Sequence, residues 1–111
     1  MIEIIIRNYL VSALTEPVYL QRPASVPQRF VLIEKVGSGR NDGLPSSTFA
    51  IQSYAETLYE AAALNERVKA TVDRLIKLDE IGGVALNSDY NYTDTTTKEF
   101  RYQAVYEIYH Y

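Results

Sequence analysis

RFVLIEKVGSGRNDGLPSSTFAIQSYA, residues 29–55, is the stretch on which the fold turns. Its glycine-rich middle leaves a strongly apolar run, RFVLIEKV (29–36), where many nucleotide-binding proteins cradle a phosphate. The dinucleotide fingerprint requires a strand, a G-x-G-x-x-G turn, then a helix whose free N–H groups meet the anion. In GSGRNDG (37–43) the third glycine comes one residue late. Leu44-Pro45-Ser46 then leads into STFAIQSYA (47–55), where Phe49 and Ile51 share one face of a strand. No helix start faces the anion position, and no Gly-Lys-Ser/Thr follows, so neither type of phosphate loop is supported. The stretch predicts two strands, 29–36 and 47–55, joined by a polar connection, Gly37–Ser46. In the first strand Phe30 and Leu32 point one way, Val31 and Ile33 the other. A hairpin usually needs two to five residues, so a connection of about ten is either functional or a tolerated insertion. With Arg40, Asn41 and Asp42 at its tip, it reads as an arm that contacts another protein.

Upstream, Ile2, Ile5, Ile6, Tyr9, Leu10 and Ala13 form one helical stripe over residues 2–14, closed by Pro17. VYLQR (18–22) reads as a short strand ended by the Pro23 and Pro27 segment. Proline cannot donate to a ladder, so this strand is expected at an edge or near a sheet end. Downstream, a helix is predicted from Glu56 to Lys77. Leu58, Ala61, Asn65, Val68, Val72 and Leu75 recur at three and four, and Leu64 and Ile76 widen the stripe. Glu60, Arg67 and Arg74 lie opposite, and Lys69, Asp73 and Lys77 read as a solvated ladder of alternating charge. Gly82-Gly83 reads as a break. VALNSDYNY (84–92) and EFRYQAVYEIYH (99–110) are two further strands, joined by TDTTTK. In the last strand Phe100, Tyr102, Ala104, Tyr106 and Ile108 share a face.

The order α-β-β-β-α-β-β predicts an α+β fold. Its sheet is mostly antiparallel, of four to five strands, with two helices on one face, and residues 1–111 make a single domain. Two helices cover one face only. Val31, Ile33, Val105, Tyr109 and Tyr111 are assigned to the other, which is expected to be apolar and to want a partner. Self-association is the economical inference.

The composition narrows the chemistry. The 111 residues contain no cysteine and one histidine, His110, which leaves no thiol nucleophile, no cysteine-based zinc site and little material for a triad. The net charge is −3 and no Lys/Arg cluster occurs, so the footprint of tight DNA binding is missing. MIEIIIRNYL does not read as a signal peptide, and no run approaches the length of a membrane span, so a cytoplasmic protein is expected. DYNYTD (89–94) starts like a calcium loop, with Asp89, Asn91 and Thr93 at the first, third and fifth positions. The sixth residue is Asp94 rather than glycine and the twelfth is Phe100 rather than glutamate, so calcium is set aside. No cofactor and no metal are expected.

PVYLQRP, FVLIEKVGSGRNDGLPSSTFAIQSYAETLYEAAALNERV and SDYNYTDTTTKEFRYQAVYEIYH, in that order, span most of the chain. As a set they resemble the tail terminator (tail completion) proteins of long-tailed bacteriophages, in the small form carried by phages and prophages of Gram-positive bacteria. The resemblance implies a non-enzymatic assembly part that acts in the host cytoplasm and ends in the virion neck. Such proteins form a ring, usually a hexamer, on the finished tail tube. The ring stops further polymerisation of the tube protein and offers a docking surface to the head connector, while DNA only passes through the lumen. An acidic lumen would let it slide. The Gly37–Ser46 arm would touch a neighbouring subunit or the tube, and the uncovered sheet face would pack in the ring.

Three rival readings remain. One is a small α+β ligand-binding or regulatory module that dimerises through its sheet. Another is a different head-tail neck protein. The last is a metal-dependent hydrolase or nuclease using Asp89, Asp94 and Glu99 beside one hairpin.

Overall fold

A computed structural model describes residues 1–41 and 43–111. The interface role expected of Asp42 lies outside the described residues, as does that of the Asn41 side chain. The elements are α1 (Ile2–Ala13), β1 (Val18–Tyr19), β2 (Phe30–Asn41), β3 (Leu44–Ala55), α2 (Leu58–Asp73), a 3-10 turn (Arg74–Lys77), β4 (Ile81–Asn91) and β5 (Phe100–His110). The fold is α+β, with one five-stranded sheet in the order β1-β2-β3-β5-β4. The β1–β2 pair is parallel; β2–β3, β3–β5 and β4–β5 are antiparallel.

Both helices lie against the same side of the sheet. Ile2, Ile6 and Leu10 of α1 and Leu64, Val68 and Val72 of α2 share a core with Val31, Ile33, Phe49, Ile51, Ala104, Tyr106 and Ile108. Each of the large aliphatic and phenylalanine side chains, removed from water, contributes about 1.5–3 kcal/mol, which anchors the helices far more strongly than helix propensity does. Helix α2 starts at Thr57, whose hydroxyl accepts from the Glu60 amide at 3.1 Å. Helix α1 ends at Leu14, where the backbone turns extended.

This core corrects the sequence reading of β2. Val31 and Ile33, assigned to the uncovered face, are 0% and 2% exposed beneath the helices. Phe30 and Leu32 are the residues on the far face, clustered with Tyr54. All four positions are apolar, so alternation alone carries no information about which pair meets the helices. The register decides it: Ile33 aligns with Ile51 and through it with Ala104, whereas Leu32 aligns with Gln52 and Gln103.

The connection Gly37–Ser46 is also not a loop. Strand pairing continues through Gly37↔Thr48, Ser38↔Ser47, Gly39↔Ser46 and Arg40↔Pro45 to Asn41↔Leu44. Gly43 beside that last pair has φ 81, a left-handed conformation that glycine takes without steric cost. A bulge at Val36, between Lys35 and Gly37, absorbs the single unmatched residue. Proline at 45 is tolerated because it pairs only with Arg40, and the β3–β5 register begins one residue later, at Ser46.

Gly82 and Gly83 likewise fall inside β4 rather than breaking the chain. A Cβ on Gly83 would stand 3.1 Å from the Tyr109 ring, and one on Gly82 would stand 3.0 Å from Leu44 and 3.3 Å from Tyr111. Glycine is there to let aromatic rings approach the backbone. The supposed solvated ladder on α2 is occupied as well. Lys69 pairs with Asp89 of β4 at 3.1 Å and Glu66 at 2.6 Å, and Asp73 accepts from the Tyr106 hydroxyl at 3.0 Å.

Candidate functional site

The face of the sheet away from the helices is open, and its middle is a shallow trough of about 710 Å³. Strand alternation puts Leu32 and Glu34 of β2, Ala50, Gln52 and Tyr54 of β3, and Arg101 and Gln103 of β5 along it. The segment after β1 adds Gln21 and Arg22, and Tyr92 follows β4. Val36 completes the apolar part of the floor at 59% exposure. The expected apolar face is therefore an amphipathic one. Val105 and Tyr109 do lie on it, half-buried, aligned with Ala50 and Ser46 of β3.

A row of polar side chains crosses this face. Arg101 donates from Nη1 to the Tyr54 hydroxyl at 2.8 Å, and Tyr54 donates to Gln52 Oε1 at 3.0 Å. Gln52 Nε2 donates to Gln103 Oε1 at 2.8 Å, and Gln103 Nε2 to the Tyr90 hydroxyl at 2.6 Å. The two glutamines are only 6% and 8% exposed although no helix covers them. Buried amides of this kind are costly unless paired, so the row holds together as a unit. The sequence gives no sign of it. Gln52 and Gln103 are 51 residues apart and meet only through the β3–β5 register.

Aromatic stacking fixes the arginine end. Phe30 and Tyr54 stack with centroids 4.3 Å apart and planes 9° from parallel. Arg22 lies 5.4 Å from the Tyr54 centroid, Arg101 5.6 Å from it and 4.5 Å from that of Tyr92. Arg22 also reaches Glu99 at 2.5 Å, whereas Arg101 spends its Nε on the Tyr92 carbonyl at 2.6 Å and has no carboxylate partner among the described residues.

The remaining expected site residues are spread over the molecule. Arg40 is exposed near the end of the hairpin. Val31 and Ile33 are sealed in the core and cannot form a contact surface without unfolding β2. The acidic trio goes to three separate tasks. Asp89 binds Lys69, Glu99 binds Arg22, and Asp94 accepts from the amides of Thr96 and Thr97 at 2.9 and 3.4 Å, which closes the turn before β5. These amide and hydroxyl bonds, Thr96 first, hold the Asp94 carboxyl below its usual range. Among the described residues no group of three or more acidic or histidine side chains converges as metal ligands would. Among the described residues no helix is long and apolar enough to cross a membrane. His110 Nε2 lies 3.1 Å from the Ser47 hydroxyl, an isolated pair with no acid completing it among the described residues.

Both flanks of the sheet are unpaired. Strand β1 covers only Val31 and Leu32 of β2, leaving the rest of that strand as an edge, and β4 pairs only with β5. Bulges at Gly82 and Asn87 twist β4, a common means of keeping an edge from uncontrolled pairing.

Against known proteins, the chain matches no family model and no curated protein.

Proposed function

We propose that this protein is a tail terminator of a long-tailed phage. It is a structural ring that caps the tail tube, ends its polymerisation, and offers the head connector a docking surface. The observation that carries the reading is the one-sided cover of the sheet: helices lie on one face, and a broad amphipathic face is left open beside two unpaired edges. Closed cyclic symmetry would cover such surfaces without leaving a sticky end. In this ring the open face, through Leu32, Val36, Ala50, Val105 and Tyr109, takes the place first given to Val31 and Ile33. The β2–β3 hairpin, with Arg40 toward its end, extends the contact to the neighbouring subunit or the tube. Partners would be copies of itself, the tube protein and a neck protein, with DNA only in transit, in the host cytoplasm and then the virion.

The direct assay adds the purified protein to the polymerising tube protein of the same phage. Tubes should stop growing and stay shorter as its concentration rises. Tube lengths indifferent to the protein would refute the proposal. A dimeric ligand-binding module is the second reading, and the trough favours it, since its volume and its convergent Arg, Tyr and Gln groups suit a small anion. It predicts a thermal shift with small carboxylates and no effect on tubes.

A further inference from the structure

The polar row on the open face has a direction, and one residue sets it. Arginine only donates, so the Tyr54 oxygen must accept from Arg101. The Tyr54 proton then goes to the Gln52 carbonyl, which turns the Gln52 amide nitrogen toward Gln103, and the Gln103 nitrogen toward Tyr90. The Tyr90 hydroxyl already accepts, and its own proton has no acceptor among the described residues. At 41% exposure this residue faces water at the β4 edge. A chain of hydrogen bonds that starts at a cation polarises each member in the same sense. The groups left over at both ends, the rest of the Arg101 guanidinium and the Tyr90 O–H, are therefore donors. Whatever docks here must bring acceptors, and negatively charged ones bind best.

Arg101 points to the same partner. Arg22, Arg29 and Arg67 each hold a carboxylate, and Arg7, Arg40 and Arg74 are exposed to water. Arg101 is half-buried between two tyrosine rings with no carboxylate partner among the described residues. Glu34 at the other end of the trough repels a second carboxylate there, which confines an acidic contact to the arginine end.

The same chain carries a matching element. Asp79 and Glu80 are adjacent, exposed, and without an ion-pair partner among the described residues. Their turn is held by backbone bonds from Leu78 N to Leu75 O, from Ile81 N to Leu78 O, and from Tyr111 N to Glu80 O at 2.9 Å, so both carboxylates sit on a fixed support. Lys77 just before them leaves the segment acidic by one charge (two acidic residues against one basic). The turn lies at the His110 end of β5 and Arg101 at the Phe100 end. At the rise of an extended strand these are about 30 Å apart, so the two patches of one molecule cannot meet.

We infer that the open face is the receiving half of a head-to-tail contact between copies of this chain, in which Arg101 and the Tyr90 hydroxyl take the Asp79–Glu80 turn of a second copy. The inference rests on the ring reading and names the chemistry of its subunit contact. Unlike patches that pair in one sense build a ring when the rotation closes.

The test is sedimentation velocity on the full chain, at low salt and across a wide concentration range, with circular dichroism as a control for folding. The variants are Arg101→Glu, the double change Asp79→Lys with Glu80→Lys, Tyr90→Phe, and an equimolar mixture of the first two. Wild type should associate, and each charge reversal should weaken association about tenfold or more. The mixture should recover it, because each defective surface then meets a complementary one. Tyr90→Phe, which deletes the terminal donor together with the acceptor of the Gln103 amide but leaves Arg101 in place, should weaken it less. Should Arg101→Glu misfold, the exposed-turn variant decides alone. Wild-type association unchanged by the turn reversal overturns this contact and leaves the ring reading intact. A mixture that does not recover overturns the pairing of these two patches. A wild type that stays monomeric at every concentration overturns the inference, while tube capping would still be judged by the length assay.

Discussion

Tyr106 shows how much one hydroxyl can do at the interface between α2 and the sheet. It is 0% exposed and donates to Asp73 at 3.0 Å, with the Lys69 carbonyl at 3.4 Å. Burial first, then the negative charge of Asp73, pushes its phenol well above the ordinary tyrosine value. The unfolded chain releases this proton near pH 10, while the folded chain keeps it to higher pH. Above about pH 10 the unfolded state therefore binds fewer protons, and stability falls as pH rises. Tyr106→Phe should cost about 1 kcal/mol at neutral pH, since Asp73 stays partly solvated. It should also flatten the alkaline loss. Urea unfolding at pH 7 and at pH 10.5 checks both; equal alkaline slopes in the two proteins would contradict the assignment. At the acid end, Glu56 is lowered to about 2, chiefly by its hydrogen bonds to Arg29. Glu16 is lowered by Arg67 in the same way. Depressed carboxyls add stability above the unfolded value of about 4.3, and that contribution fades as pH falls toward 2. Raising salt should shrink it, because these pairs are partly exposed.

At the scale of elements, the sequence was most informative where periodicity was long and one-sided. The α2 stripe placed Ala61, Leu64, Val68, Val72 and Leu75 correctly, and even the polar Asn65 is 1% exposed on that stripe. The β5 alternation put Ala104, Tyr106 and Ile108 on the helix side and Val105 and Tyr109 on the other, as found. Legibility failed where local signals conflict with pairing. Glycines at 37, 39, 82 and 83 read as breakers, yet each lies in a strand, because flanking strands supply the hydrogen bonds that propensity alone would not. Four consecutive apolar residues, 30–33, hid which face met the helices. The polar row was invisible because its members are brought together by register alone.

Two substitutions test the local account. Thr57→Ala removes the cap of α2 and should lower stability by about 1 kcal/mol. Glu60 does not compensate, since its carboxylate is turned toward Arg29 at 3.4 Å. Gly43→Ala puts a side chain at a positive φ and should cost about 1 kcal/mol while leaving the core packing unchanged. Thermal denaturation of each variant measures these losses; no change in either case would show that the cap or the turn is not as described. By contrast, replacing Gly37–Ser46 by a two-residue turn would damage the sheet. Ser46 is buried and aligned with Tyr109, so the cut removes part of β5's support.

For the whole molecule the central claim is that a sheet covered on one side works by assembly with its own copies on a tube. The chain's dimensions of 42 × 25 × 25 Å give an elongated subunit with a donor-rich patch and an acidic turn toward opposite ends of β5. If these unlike patches pair in one sense from copy to copy, the contact builds a ring when the rotation closes. The open edges of β2 and β4 would then lie along the ring, where the bulges in both strands limit continued sheet growth. The most direct measurement is electron microscopy of the protein mixed with purified tail tubes of the same phage. The account predicts a single ring of cyclic symmetry on one end of each tube, with the helices turned away from the subunit contact. Bare tube ends at saturating protein, or a cap whose subunits meet through α1 and α2 with the open sheet face in solvent, would contradict it.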